Sequence, residues 1–256
     1  MTRLTSDAAG VYVIAVTPFH PDGRIDMESC DRMVDFYLDA GATGLTVLGM
    51  MGEAPKLTIE ESRDVVARIL ARVNGRLPVV VGVSAPGFAQ IDTLTRMVMD
   101  LGAAGVMVAP PGSLRTDDQI VTYYQQVADV LGDVPFVLQD FPLVTGVQIS
   151  PKVIARIFND LPTCVCLKHE DWPGLEKITA LRAAARTVAP SAASDLAIAM
   201  PRPRLAPSTS ARFPVSSRSI SRSPSVGGPA ARQGDPPRRG FVATARRQDG
   251  AACHGR

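Results

Sequence analysis

The first 186 residues alternate short apolar runs with longer stretches in which apolar residues recur three or four positions apart. The apolar runs, each of a length typical of a buried strand, are 11–17, 44–48, 78–83, 105–108, 135–139 and 164–168. The stretches that follow them have the spacing of amphipathic helices with one buried face. The pattern therefore predicts strand–helix units of about 30 residues each.

Helix starts and inward faces are also encoded locally. Thr58 and Thr116 each precede a Glu or Gln by three residues, which is the pattern of a capping box, and Ser150-Pro151 places a cap before proline at the first helical position. The first predicted helix runs from Asp26 to Gly41 and the last from Gly174 to Ala185. The side chains expected to face inward on these two helices are Met33, Phe36, Tyr37, Leu175, Ile178 and Leu181.

Strand–helix alternation indicates right-handed βαβ units and a parallel sheet that is buried on both faces. More than five such units resemble most of a (β/α)8 TIM barrel, an α/β fold. No Gly-x-Gly-x-x-Gly follows a strand, so a dinucleotide-binding sheet is the weaker alternative. We therefore expect residues 1–186 to form a (β/α)8 barrel truncated after the sixth unit.

Residues 187–256 lose this pattern. From residue 201 onward the chain holds 11 arginines, eight prolines and eight serines, with no lysine and only two acidic residues. We interpret this segment as the product of a gene that is read out of frame here. Resequencing the gene and translating the other frames would test this interpretation. A genuine disordered tail is the alternative, and nucleic-acid binding through its arginines predicts affinity that falls steeply with salt.

The charge distribution, the length of the apolar runs and the cysteines limit the classes of protein to which the chain can belong. Residues 1–200 carry a formal charge of −7 and residues 201–256 one of +9, so the net +2 describes neither segment. No apolar run reaches the ~18 residues of a membrane span, and no signal peptide is evident, which predicts a cytoplasmic protein. Cys164 and Cys166 are expected to share one strand face as small buried side chains rather than as metal ligands.

Lys168, which closes the apolar strand 164–168, is the principal candidate for chemistry. Burial disfavours the charged form of a lysine, and a neutral amine can attack a ketone to form a Schiff base. A lysine whose amine simply reaches solvent is the alternative. In a barrel the active site lies at the carboxyl ends of the strands, where Thr17-Pro18-Phe19, the loop 49–53 and Gln139-Asp140-Phe141-Pro142 also occur.

These motifs, in this order, resemble the class I aldolases related to dihydrodipicolinate synthase and N-acetylneuraminate lyase, over about residues 8–186. The resemblance implies a barrel that is usually a homo-oligomer and acts on pyruvate or another 2-keto acid without a metal or cofactor. It assigns the Schiff base to Lys168 and substrate binding to Thr17 and the loop residues Gly49, Met50, Met51 and Gly52.

The sequence also departs from that family. Met50 and Met51 stand where Ser or Thr hydroxyls usually help to hold the substrate carboxylate, so only backbone N–H groups remain there. Gln139 replaces the tyrosine that relays protons, and Val144 replaces an arginine for a second carboxylate. These changes favour a relative that acts on a different partner, such as a 2-keto-3-deoxy sugar acid.

A base is still required, and Asp140 and Glu170 are the candidates. Lys168 and Glu170 should share a strand face while His169, which we expect to be structural, points away. The prediction is a lyase, either an aldolase or a dehydratase, that binds a small 2-keto acid and neither nucleic acid nor membrane. The alternative is an inactive partial barrel or a non-catalytic binding subunit.

A barrel truncated in this way would have unpaired sheet edges, which promote aggregation. We therefore expect the chain to be poorly soluble or to need a partner. A monodisperse protein that melts cooperatively would contradict this expectation.

Overall fold

The computed structural model describes residues 3–172, 174–188 and 197–199. Within them, parallel strands pair in chain order, each with the next, as in a curled, open stretch of a (β/α)8 barrel. The strands are β1 (Tyr12–Ile14), β2 (Gly44–Val47), β3 (Val79–Gly82), β4 (Gly105–Val108), β5 (Phe136–Asp140), β6 (Cys164–His169) and β7 (Ala197–Ala199). The truncated-barrel fold expected from the alternating pattern is confirmed.

A short strand, β7, lies beyond residue 187, where the strand–helix pattern of the sequence is lost. It pairs in parallel with β6, from Cys166 opposite Ala197 to Lys168 opposite Ala199. The strand has only three residues, and two of them are alanine, so the hydrophobic pattern does not predict it. The prediction for the arginine-rich segment itself, 201–256, lies outside the described residues.

Helices separate the strands and cover one face of the sheet. They are α1 (Met27–Asp39), α2 (Ile59–Val73), α3 (Phe88–Asp100), α4 (Asp117–Leu131), α5 (Pro142–Thr145), α6 (Pro151–Asp160) and α7 (Gly174–Val188). Both predicted capping boxes form, with Thr58 bonded to Glu61 and Thr116 to Gln119, and Ser150 caps α6. These caps satisfy N–H groups that a helix start otherwise leaves unpaired.

Two of the predicted inward side chains are exposed instead. Phe36 is 56% exposed, because it lies two residues, or about 200°, around α1 from the buried Val34. Leu175 is 74% exposed in the first turn of α7, while Ile178 and Leu181 are buried as expected.

Side chains of alternate strand residues enter two apolar clusters on opposite faces of the sheet. The larger cluster lies between sheet and helices, and the smaller one contains Val80, Met107 and Val137 together with Leu4. A bulge in β6 pairs Phe136 with Cys164 but Val137 with Cys166, so Val165 is extra. Consequently Cys164 joins the larger cluster and Cys166 the smaller, and the expectation that they share one face is wrong.

Two tyrosines of α4 pack against the sheet. Tyr124 is fully buried, stacks on Phe136 with ring centroids 6.3 Å apart, and donates from its hydroxyl to the Val108 carbonyl at 3.2 Å. Burial raises the pKa of the neighbouring Tyr123 to about 12. Both phenols are therefore protonated packing groups at physiological pH.

The Tyr123 phenol makes stability depend on alkaline pH. Because its pKa is raised above the ordinary 10, the folded protein holds this proton more tightly than the unfolded chain. Its contribution is complete below pH 10 and declines by about 1.4 kcal/mol per pH unit as the pH rises towards 12. Denaturant titrations should therefore show a shallower loss of stability over this range for Tyr123→Phe, and equal slopes for the two proteins would contradict the assignment.

Candidate active site at the carboxyl ends of β5 and β6

Lys168 and Gln139 are register partners on the neighbouring strands β6 and β5. Both side chains lie on the face opposite the larger apolar cluster, since the residues beside them in sequence, Leu167 and Leu138, belong to that cluster. The Lys168 side chain is 12% exposed and Gln139 is buried. The lysine is thus largely withdrawn from solvent, as a Schiff-base amine requires.

Glu170 joins these two side chains. Its Oε2 atom lies 2.8 Å from the Lys168 Nζ and accepts a second hydrogen bond, of 2.7 Å, from the Gln139 Nε2. The shared face predicted for Lys168 and Glu170 is confirmed by the ion pair between them. The three side chains, called the Lys168 triad below, place an amine, a carboxylate and a neutral amide donor within hydrogen-bond distance.

The structure does not bring Asp140 to the Lys168 amine. Asp140 follows Gln139 in β5, so its side chain emerges on the other face of the strand. Its Oδ2 lies 2.7 Å from the His169 Nδ1 and 2.7 Å from the Lys177 Nζ, and the carboxylate is fully buried. This placement corrects the expectation that Asp140 serves as a base beside the Schiff base.

His169 points away from Lys168, as expected, and its imidazole lies between Asp140 and α7. Its Nε2 is 3.2 Å from the Gly174 carbonyl. Lys177, which sequence reasoning did not single out, reaches Asp140 and also Asp171, at 3.1 Å. The sequence does indicate that Lys177 faces inward, because it lies four residues before Leu181 on the inward stripe of an amphipathic helix.

The loop after β2 is a compact turn. The N–H of Gly52 bonds to the Gly49 carbonyl and that of Glu53 to the Met50 carbonyl. The N–H groups of Met50 and Met51 do not take part in these turn hydrogen bonds, so they can donate to a bound anion. A Cβ on Gly52 would lie 3.0 Å from the Leu48 nitrogen, so a larger residue there requires a small shift of the backbone.

Thr17 contacts this loop. Its buried hydroxyl donates to the Gly52 carbonyl at 2.6 Å. Thr17, which the resemblance assigns to substrate binding, is thus hydrogen-bonded to the loop in this structure. Met51 is exposed and Met50 is half-buried.

No group of three or more His, Cys, Asp or Glu side chains within the described ranges is placed to hold a metal ion. Among the described helices, none combines the length and apolar character that crossing a bilayer requires.

Comparisons with known proteins agree with this fold. A sequence profile described as the Dihydrodipicolinate synthetase family matches residues 7–187, and the chain belongs to that family. A dihydrodipicolinate synthase from Rhodopseudomonas palustris superposes with a TM-score of 0.73 at 53% identity, over 77% of this chain and 65% of that one. One from Thermotoga maritima gives a TM-score of 0.66 at 32% identity, over 74% and 62%.

A curated relative, the 4-hydroxy-tetrahydrodipicolinate synthase of Nitrosococcus oceani, is 32% identical over 161 residues, or 62% of this chain and 54% of the relative. The chain thus spans about half the length of such relatives. The family and fold are established by these matches.

Proposed function

We propose that the chain is a Schiff-base lyase acting on pyruvate or a 2-keto-3-deoxy sugar acid. The observation that carries this proposal is the Lys168 triad, a withdrawn amine hydrogen-bonded to a carboxylate that a buried amide also holds. Family membership supports the same chemistry, because the relatives it matches are named as synthases of this class.

The triad can perform each step with its own groups. The Lys168 amine, once its proton has passed to Glu170, attacks the ketone carbon and forms a carbinolamine. Glu170 returns its proton to the carbinolamine hydroxyl, which leaves as water, so a protonated imine and an ionised Glu170 remain. A carboxylate 2.8 Å from that nitrogen can then remove a C3 proton, whose bonding electrons enter the imine and form an enamine. The enamine can attack an aldehyde, or it can expel a C4 hydroxyl as water.

Gln139 has a supporting role in this scheme. An amide neither takes up nor releases protons at neutral pH, so it cannot relay them as a tyrosine does. Its Nε2–H instead donates to the Glu170 Oε2, which fixes the carboxylate beside the amine. Proton transfer is therefore assigned to Glu170.

The residue at position 144 supports the proposed substrate class. Val144, at the position of the arginine that would hold a second carboxylate, is exposed on α5. An apolar side chain there cannot pair with a dicarboxylate partner. A substrate with hydroxyls beyond C3, as in a 2-keto-3-deoxy sugar acid, suits this site better.

Exchange of the pyruvate C3 protons in D2O, followed by proton NMR, tests the proposal. We expect exchange with the protein present, together with release of pyruvate from a 2-keto-3-deoxy sugar acid. Pyruvate binding without exchange would instead favour the non-catalytic binding subunit, and neither binding nor exchange would favour an inactive partial barrel.

A further inference from the structure

A cluster of charged side chains lies behind the Lys168 triad, on the opposite face of β5 and β6. It consists of Asp140, His169, Lys177 and Asp171 and is called the Asp140 cluster below. Asp140 contacts His169 and Lys177 at 2.7 Å each, and Lys177 contacts Asp171 at 3.1 Å. Side-chain exposure is 0% for Asp140, 1% for His169 and 9% for Lys177.

The His169 ring is held on both sides. One ring nitrogen lies 2.7 Å from the Asp140 carboxylate and the other lies 3.2 Å from the Gly174 carbonyl. These two contacts fix the orientation of the imidazole between β5 and α7.

Asp140, His169 and Asp171 of the cluster are chain neighbours of triad residues. Gln139 precedes Asp140, Lys168 precedes His169, and Glu170 lies between His169 and Asp171. In addition, the Glu170 N–H donates to the Asp140 carbonyl at 2.8 Å. Fixing the cluster on one face therefore fixes the backbone from which the triad projects on the other.

We propose that Asp140, His169 and Lys177 are positioning residues that hold the Lys168 amine against Glu170. A buried ion cluster gains little net stability, because desolvation offsets the attraction between the charges. A group that positions others by a fixed geometry can still change a rate strongly, since a misplacement of about 1 Å can cost roughly a hundredfold. This inference rests on the proposed Schiff-base function.

Lys177 is the residue to vary, since it lies on α7 and reaches the triad through Asp140 and Asp171, each a chain neighbour of a triad residue. Lys177→Met removes the charge and keeps most of the length. We expect kcat for pyruvate C3 exchange to fall about tenfold to a hundredfold, with KM nearly unchanged, because attack geometry is lost.

The control variant is Arg156→Gln, which breaks an exposed ion pair with Asp160 on α6 and should leave kcat and KM unchanged. All rates are measured well below the melting temperature, on protein shown to be folded by circular dichroism. A Lys177→Met protein that melts earlier but keeps wild-type kcat and KM would show that the cluster only stabilises the fold, and would overturn the proposal.

A second readout does not depend on activity and separates the two hypotheses. Acetylation of Lys168 by limiting acetic anhydride is measured by mass spectrometry relative to Lys152, which is exposed on α6. We expect Lys177→Met to raise this ratio severalfold, because Lys168 is no longer held against Glu170. A wild-type protein inert towards pyruvate would reject the proposed function alone, whereas an unchanged ratio would reject the positioning role.

Discussion

Replacing Lys168 with alanine abolishes catalysed C3 exchange of pyruvate, leaving only the rate seen without protein. The reason is that the amine supplies the imine in which the electrons of the broken C–H bond are held, and no other group of the triad can replace it. Proton NMR in D2O measures the exchange directly, at equal concentrations of folded protein.

The matched control for this variant is Lys152→Ala, which removes an exposed lysine on α6. It should exchange pyruvate at the wild-type rate. If Lys168→Ala still exchanged pyruvate or cleaved a 2-keto acid, the Schiff-base mechanism would be wrong for this protein.

Replacing Glu170 with glutamine separates proton transfer from imine formation. The amide retains the size of the side chain but cannot accept the C3 proton, so exchange should fall by roughly 10²–10⁴-fold. Imine formation should be slower, because Glu170 no longer takes the amine proton, but it should still be detected after long incubation, since the Lys168 amine remains. Proton NMR measures the exchange, and borohydride reduction followed by mass measurement reports the imine.

Glu176→Gln, an exposed change in the first turn of α7, is the control for loss of one negative charge. It should leave both readouts unchanged. Wild-type exchange by Glu170→Gln would assign the proton to another group and remove Glu170 from the mechanism.

The sequence predicted those parts of the fold that depend on local patterns. Strand β4 has the predicted bounds, and both capping boxes form where Thr58 and Thr116 occur. These features need only a run of apolar residues or a polar side chain three residues before a Glu or Gln. The short strand β7 and the bulge in β6 depend on pairing with a neighbouring strand, which no local pattern reports.

For the candidate site, too, the sequence predicted the positions of some side chains and not of others. Strand alternation placed Lys168 and Glu170 together and turned His169 away, as observed. The same alternation, applied to β5, would have turned Asp140 away from Lys168. That error came from treating Asp140 as a loop residue, whereas β5 continues through it.

The role of Lys177 could not be found from the strands alone. It comes from α7 and reaches Asp140 across the interface between sheet and helix. A lysine on an inward helical stripe signals a buried partner, but only the packed structure identifies which carboxylate it meets.

The most direct test of the account is to incubate the full chain with pyruvate and sodium borohydride and to map the adduct by peptide mass spectrometry. Reduction fixes the imine as a stable secondary amine, so the modified residue identifies the nucleophile. The account predicts a single pyruvate-derived adduct on Lys168. An adduct on a different lysine, or none on folded protein that binds pyruvate, would contradict it.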